Sequence, residues 1–277
     1  MPAVPTGLVG ELDTLTEEAR GGGGEMAISL RHVERQEAYD HVPDRPFIAA
    51  STIKLPILVA LYDAAAAGRV RLDERVRLRD EDQVTGSGVL QLLTPGVRLP
   101  LRDLAELMIT VSDNAATNMI LERLGVEAVN ACLDRLGLVA TRVLRGLQII
   151  PADGKGHNTV TAGELTGLLV RLAQGRVVSW EACRRMVATL KRQQVNDALP
   201  ALLPDPEDEP SPPLGALPTW ELAHKTGGIP AHQHDVGLLY LPGQTIALSV
   251  LTRGCGPARA ARALVARVGR AVWDAYR

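Results

Sequence analysis

The sequence predicts an α+β fold in which an antiparallel sheet is flanked by helices and an all-helical part lies beside it. Three observations carry the prediction. Strand-like segments stand near both ends of the chain, helical patterns fill its middle, and Pro257 to Tyr276 reads as a closing helix. Strands from the two ends can pair into one sheet, with the helical insertion packed against it. The reading assigns residues 1–47 and 215–277 to the sheet part and 48–214 to the helical part. It places a catalytic cleft at the seam, where ligand pockets preferentially form.

Taken in order, residues 11–20 (ELDTLTEEAR) form an amphipathic helix, closed by Gly21 to Gly24 because four glycines are too permissive to continue it. Met26 to Leu30 and Arg45 to Ala50 read as short strands. Thr52 to Ala67 is helical and apolar on nearly every face (Leu55, Ile57, Leu58, Val59, Leu61), the mark of a buried helix. Pro56 is tolerated near its start, where backbone N–H groups lack partners anyway. Further helices are expected at Leu101–Val111, Asn114–Leu124, Val126–Leu136, Ala162–Ala173 and Ser179–Leu190, with Asp113 and Thr161 as N-caps. Arg142 to Asn158 reads as a long loop. Residues 204–218 (PDPEDEPSPPLGALP) are acidic and proline-rich, which fits a mobile surface loop and not a core. Strands follow at Glu221–Lys225, Val236–Leu241 and Ile246–Thr252, with turns at Gly227–Pro230 and Pro242–Gly243.

Composition narrows the function. The chain has 277 residues, 46% of them hydrophobic, which supplies an ample core. Aromatics are only 3%, the net charge is −2 and arginine is dispersed, so a nucleic-acid surface is not expected. Cys132, Cys183 and Cys255 stand far apart without metal or redox spacing and read as reduced thiols. No run approaches the ~18 apolar residues of a membrane span. No signal peptide is visible, so the expected location is cytoplasmic unless an export signal has been removed. A monomer acting on a small-molecule substrate is expected, with no cofactor and no metal.

Three motifs carry chemistry. In Ser51-Thr-Ile-Lys54 the helical spacing brings the lysine amine to the serine hydroxyl. A serine is a poor nucleophile until a base takes its proton. Lysine can be that base only when neutral, through burial or a second cation nearby. A helix N-terminus at Ser51 also favours the negative oxygen of a tetrahedral intermediate. Ser112-Asp113-Asn114 precedes a helix, where a cap alone would explain it. Lys225-Thr226-Gly227-Gly228 follows a strand, where a glycine turn alone would explain it. All three in this order are much harder to explain by local structure.

The set resembles the signature of class A β-lactamases and penicillin-binding proteins. The flanking text agrees: Phe47-Ile-Ala-Ala-Ser-Thr-Ile-Lys-Leu-Pro, Gly86-Ser-Gly-Val-Leu-Gln, and the run from Leu101 to Asn118. The chain is similar to class A β-lactamase-related serine hydrolases from about residue 25 onward. The resemblance implies that Ser51 attacks the acyl carbonyl and Lys54 takes its proton. It implies that Ser112 relays a proton to the leaving nitrogen, assisted by Lys225. Asn114 would bind the substrate's side-chain amide and Thr226 with Lys225 its carboxylate, with Gly227 and Gly228 also among the substrate-binding residues. Backbone N–H groups of Ser51 and Gly228 would form the oxyanion hole. A cation and a hydroxyl suit a carboxylate.

The loop before the Lys-Thr-Gly strand departs from that family. Class A enzymes resemble one another there in Arg-x-Glu-x-x-Leu-Asn, whose glutamate activates the deacylating water. Here Arg145 fits the arginine, but Leu147 takes the glutamate's place, and no Glu occurs from Val139 to Gly163. Gln148 could position a water without accepting its proton, and Asp153 could do both if folded inward. The expectation is therefore a β-lactamase-like hydrolase that acylates at Ser51 and deacylates slowly. Alternatives are an esterase or peptidase of the same fold, or a penicillin-binding protein acylated without turnover. His232-Gln-His234-Asp235 reads as a loop beside the active-site strand, and His224 should face away from Lys225.

Overall fold

Helix α1 (Thr6–Gly21) buries Leu8, Leu12 and Leu15 on one face. It starts ahead of the predicted Glu11 because Leu8 continues that apolar face. It stops where Gly23 takes φ +79°, a conformation side chains resist. The computed structural model describes residues 4–35, 37–147, 156–204 and 219–277. The proline-rich loop beyond Pro204, Gln148 and Asp153 lie outside the described residues.

Strand β1 (Glu25–His32) is followed by β2 (Ala38–His41), which the sequence pattern did not reveal. The predicted strand at Arg45–Ala50 shrinks to β3 (Phe47–Ile48). Ala50 turns out of the extended region at φ +45° and opens a tight helical turn, Ala50–Ile53. That turn runs into α2 (Lys54–Ala66), where Leu55, Ile57, Leu58, Val59 and Leu61 have no exposed surface. Each such aliphatic side chain contributes roughly 1.5–3 kcal/mol by leaving water. Strands β4 (Arg75–Arg77) and β5 (Arg98–Pro100) make a small ribbon that was not anticipated.

Four helices follow the periodic pattern closely: α3 (Leu101–Thr110), α4 (Asn114–Leu124), α5 (Val126–Arg135) and, after β6 (Thr159–Val160), α6 (Ala162–Ala173). The carboxylate of Asp113 accepts the Ala116 N–H, and the Thr161 hydroxyl accepts that of Glu164, so both cap as expected. Strand β6 pairs with β3 and stitches the approach to the Ser51 turn onto the helical side. Helix α7 (Trp180–Leu190) is capped by Ser179.

Strands β7 (Glu221–Ile229), β8 (His232–Leu241) and β9 (Gln244–Arg253) complete an antiparallel five-stranded sheet of order β2-β1-β9-β8-β7. The predicted turn at Gly227–Pro230 is shorter than expected. Gly227 and Gly228 stay in β7, paired with His234 and Gln233. His232 to Asp235 is accordingly strand, not loop. Helix α8 (Ala258–Tyr276) closes the chain.

Alternation along the strands assigns their two faces. Ile246, Leu248 and Val250 of β9 pack with Ile28, with Leu12 of α1 and with Val265 and Val268 of α8. Ala247 and Leu251 of the same strand join a second core, built on α2, α4 and α6. Strand β7 is an edge strand, and its free edge lies along the Ser51 turn.

Candidate active site

The Ser51 turn and the first residue of α2 bring Ser51 Oγ and Lys54 Nζ to 3.1 Å. Lys54 has no exposed surface. Its Nζ also lies 3.0 Å from Ser112 Oγ, 2.6 Å from the Ser112 carbonyl and 2.9 Å from Asn114 Oδ1. Four oxygens crowd this nitrogen, more than an ammonium or a neutral amine can bond at once. A neutral amine fits differently. Its two N–H groups go to the Ser112 carbonyl and Asn114 Oδ1, which can only accept, and its lone pair accepts a serine hydroxyl proton. Burial pushes the Lys54 pKa well below the usual lysine range, and Lys225 pushes it further, against a smaller opposing effect of Asp113.

Ser112 takes φ +56°, a backbone state that costs on the order of 1–3 kcal/mol and aims the residue at Lys54. Asp113 holds it there. Beyond capping α4, its carboxylate accepts the N–H groups of Val89 and Leu90 at 2.7 and 2.9 Å. A side chain at Gly88 would fall 2.3 Å from Asp113 Cγ, so the Gly86–Gly88 segment lies directly on the Ser-Asp-Asn turn.

On β7, Lys225 is fully buried and donates to the Thr226 carbonyl at 2.8 Å. Burial lowers its pKa to about 7, with Asp235 opposing. Among the described residues no hydrogen bond joins Lys225 to Ser112; its influence on the cluster is through charge. Gly227 permits the closest approach between the two halves of the site. A Cβ there would meet the Thr52 and Ser51 backbone nitrogens at 3.0 and 3.1 Å. Ser51, Ser112, Thr226, Gly228, Asp197 and Arg262 line a cleft of about 200 Å³. A cavity of about 640 Å³ bounded by Tyr62, Glu106 and Arg192 is larger but holds no nucleophile–base pair.

Leu147 is held by α4, the helix that begins at Asn114. Asn118, one turn after Asn114, accepts the Leu147 N–H at 2.7 Å and donates to its carbonyl at 3.0 Å. A side chain at Gly146 would meet Asn118 Oδ1 at 2.7 Å, so the loop presses closely on the helix. Asn158 fixes the returning strand by accepting the Leu144 N–H at 2.8 Å.

The model of the β-lactamase enzyme family matches residues 10–276. The chain belongs to that family. A β-lactamase of Rhodobacter capsulatus is 28% identical over 64% of this chain; the match spans 61% of that relative's length. The β-lactamase structure from Sphaerobacter thermophilus DSM 20745 superposes with a TM-score of 0.87 at 30% identity, covering 96% of this chain and 97% of that one. A leucine-to-glutamate mutant of PBP-A, an acyl-enzyme complex with penicillin G, gives 0.82 at 30% identity, covering 100% and 99%. Family and fold are those of β-lactamase-related serine hydrolases.

Asn118 and His234 make contacts that their places in the sequence did not show. Asn118 carries no motif of its own and is found only through the loop it clamps. His234 lines the cleft, tied to backbone on both sides: its Nδ1 accepts the Thr252 N–H at 3.0 Å, so its Nε2–H donates to the Ile48 carbonyl at 2.9 Å. Both ring nitrogens are occupied by backbone, which leaves no lone pair for a metal. Burial lowers the His234 pKa to about 4. His224 faces away from the cluster, its Nδ1 2.9 Å from the buried Asp235 carboxylate. The three cysteines are buried free thiols.

Proposed function

We propose that this chain is a serine hydrolase that forms an acyl-enzyme with β-lactams at Ser51 and releases the acyl group slowly. The observation that carries the reading is Lys54 Nζ, buried between Ser51 Oγ and Ser112 Oγ. Neutral Lys54 takes the Ser51 proton as Ser51 Oγ bonds to the lactam carbonyl carbon. The N–H groups of Ser51 and Gly228 receive the resulting oxyanion. The proton then passes from Lys54 through Ser112 Oγ to the lactam nitrogen as the C–N bond breaks. Lys225 and Thr226 hold the substrate carboxylate, and Asn114 its side-chain amide. Leu147 supplies no base for the deacylating water. The same observation supports a penicillin-binding protein that is acylated without turnover.

Intact mass after incubation with penicillin G tests both. A penicilloyl adduct is expected on the wild type and not on Ser51→Ala. An adduct that decays over minutes to hours marks the slow hydrolase, and one that persists marks the binding protein. No adduct, together with hydrolysis of simple aryl esters, would replace the β-lactam reading with an esterase of the same fold.

The close approach at Gly227 gives a second expectation. Gly227→Val forces β7 away from the Ser51 turn, and misplacement by an ångström costs about 100-fold in rate. Stopped-flow acylation should show that loss while circular dichroism stays native.

Lys225 gives a pH dependence. A lysine of pKa about 7 is cationic below that pH and neutral above it. Recruitment of carboxylate-bearing donors should therefore fall as pH rises through 7. In Lys225→Arg the charge persists, since guanidinium does not titrate there, and the falling limb should vanish. A limb unchanged in Lys225→Arg would assign it to another group.

A further inference from the structure

The larger cavity, of about 640 Å³, opens where the end of α2 packs against α3 and α7. Arginines reach it from three segments: Arg71 from the turn after α2, Arg102 from α3, and Arg185 and Arg192 from α7 and its end. We propose that this cavity is a second binding site, separate from the cleft at Ser51, for a small phosphate monoester with an apolar body. The proposal does not depend on the acylation reading.

The framework of the site is fixed by the fold. Arg185, Thr189 and Arg192 follow one another at helical spacing and share a face, as do Arg102 and Glu106 on α3. The turn that carries Arg71 is tied to the start of α3 by backbone. The Arg102 N–H donates to the Leu72 carbonyl and the Leu101 N–H to the Glu74 carbonyl, both at 2.9 Å. Ala65, Val70 and the Tyr62 ring supply an apolar floor.

Tyr62 is the residue that points to a ligand. It is only 9% exposed, lines the cavity, and its hydroxyl has no hydrogen-bond partner among the described residues. Buried hydroxyls are normally bonded, and here the partner has to come from what enters the cavity. Burial raises the Tyr62 pKa, and Glu106 raises it further against Arg185 and Arg192, so the phenol keeps its proton and can donate it.

Charge and donor geometry select the ligand. Four guanidinium groups face two lining carboxylates, Asp73 and Glu106. The surplus of two positive charges matches a phosphate monoester, which carries about two negative charges near neutrality. Glu106 does not compete for the other arginines. It accepts from Arg192 at 3.0 and 2.5 Å and from the Thr189 hydroxyl at 2.7 Å. Arg71 and Arg185 use only Nε, toward Asp73 and Glu181. Arg102 makes no side-chain hydrogen bond among the described residues; its nearest carboxylate, Asp103, is 3.6 Å away. Three pairs of terminal guanidinium nitrogens are therefore open, and such planar pairs grip phosphate oxygens two at a time. Three forks and a phenol offer more donors than the two oxygens of a carboxylate can use, and they suit the three oxygens of a phosphate. The apolar floor favours an organic ester over the bare ion.

Titration calorimetry with phenyl phosphate, inorganic phosphate and phenol tests the site. Phenyl phosphate should bind once per chain, about 10-fold more tightly than inorganic phosphate because its ring leaves water, and phenol should not bind measurably. Arg102→Gln and Arg185→Gln should each weaken phenyl phosphate about 10-fold. These side chains are 58% and 60% exposed, so both variants should keep the wild-type melting temperature. Tyr62→Phe keeps the ring and removes the donor, and should weaken binding about 5-fold. Arg262→Gln, in the cleft, should bind as the wild type does. Equal affinity for inorganic and phenyl phosphate assigns the arginines to the free ion and overturns the organic ligand. Binding lost in Arg262→Gln but kept in the Arg102 and Arg185 variants places the anion in the cleft and overturns the second site, as does an absence of saturable binding. Acylation of Ser51 by penicillin G is read separately and is unaffected by either result.

Discussion

Lys54→Ala leaves Ser51 unacylated: the rate of adduct formation with penicillin G should fall by about 1,000-fold or more. General-base assistance accounts for roughly 100- to 10,000-fold, and no other group among the described residues stands within hydrogen-bond reach of Ser51 Oγ. The loss should be chemical and not structural. A buried lysine is held neutral at the expense of its hydration, so its removal relieves one unfavourable burial. It also leaves the Ser112 carbonyl and Asn114 Oδ1 without a donor, a loss of about 1–3 kcal/mol for each buried group left unpaired. These effects oppose each other, and thermal melting should remain cooperative. Lys54→Met, which fills the same space without a base, separates packing from proton transfer. Both variants should be equally slow. A fast Lys54→Met would show that the amine's bulk, not its lone pair, supports acylation.

Much of this site was readable because each motif constrains neighbours along one chain segment. Ser51 and Lys54 needed only the helical spacing to be paired, and α2 announced its burial by lacking a polar face. The contacts between segments were not readable. Gly227 looked like a turn residue because its neighbours were glycine and proline; it is strand because it pairs with His234, and a side chain there would press on the backbone of the Ser51 turn. Ala50 ended a predicted strand early, since its positive φ is set by the turn it begins. Strand β2 is four residues long and pairs only along β1, too short for periodicity to register. Asp197 and Arg262 are ordinary charged residues in sequence, and only the docking of α8 on residues 199–202 makes them face one another.

The position of Leu147 yields the largest expected gain. Leu147→Glu should accelerate loss of the penicilloyl group from Ser51 by about 100- to 1,000-fold, within the span that a positioned general base provides. The backbone is already prepared. Asn118 binds both the N–H and the carbonyl of residue 147, so the loop keeps its path whichever side chain it carries. Leu147 is partly buried against the core that surrounds Lys54, and a carboxylate in its place enters a poorly hydrated site. Burial raises its pKa, which strengthens it as a base. The gain should therefore fade as pH drops and the new carboxyl takes up a proton. Leu147→Gln is the decisive control: it can orient a water but cannot accept its proton, and it should deacylate no faster than wild type. Adding Asn118→Ala to Leu147→Glu releases the clamp and should forfeit most of the gain. Equal deacylation in the Glu and Gln variants would show that water access, not a missing base, limits release of the acyl group from Ser51.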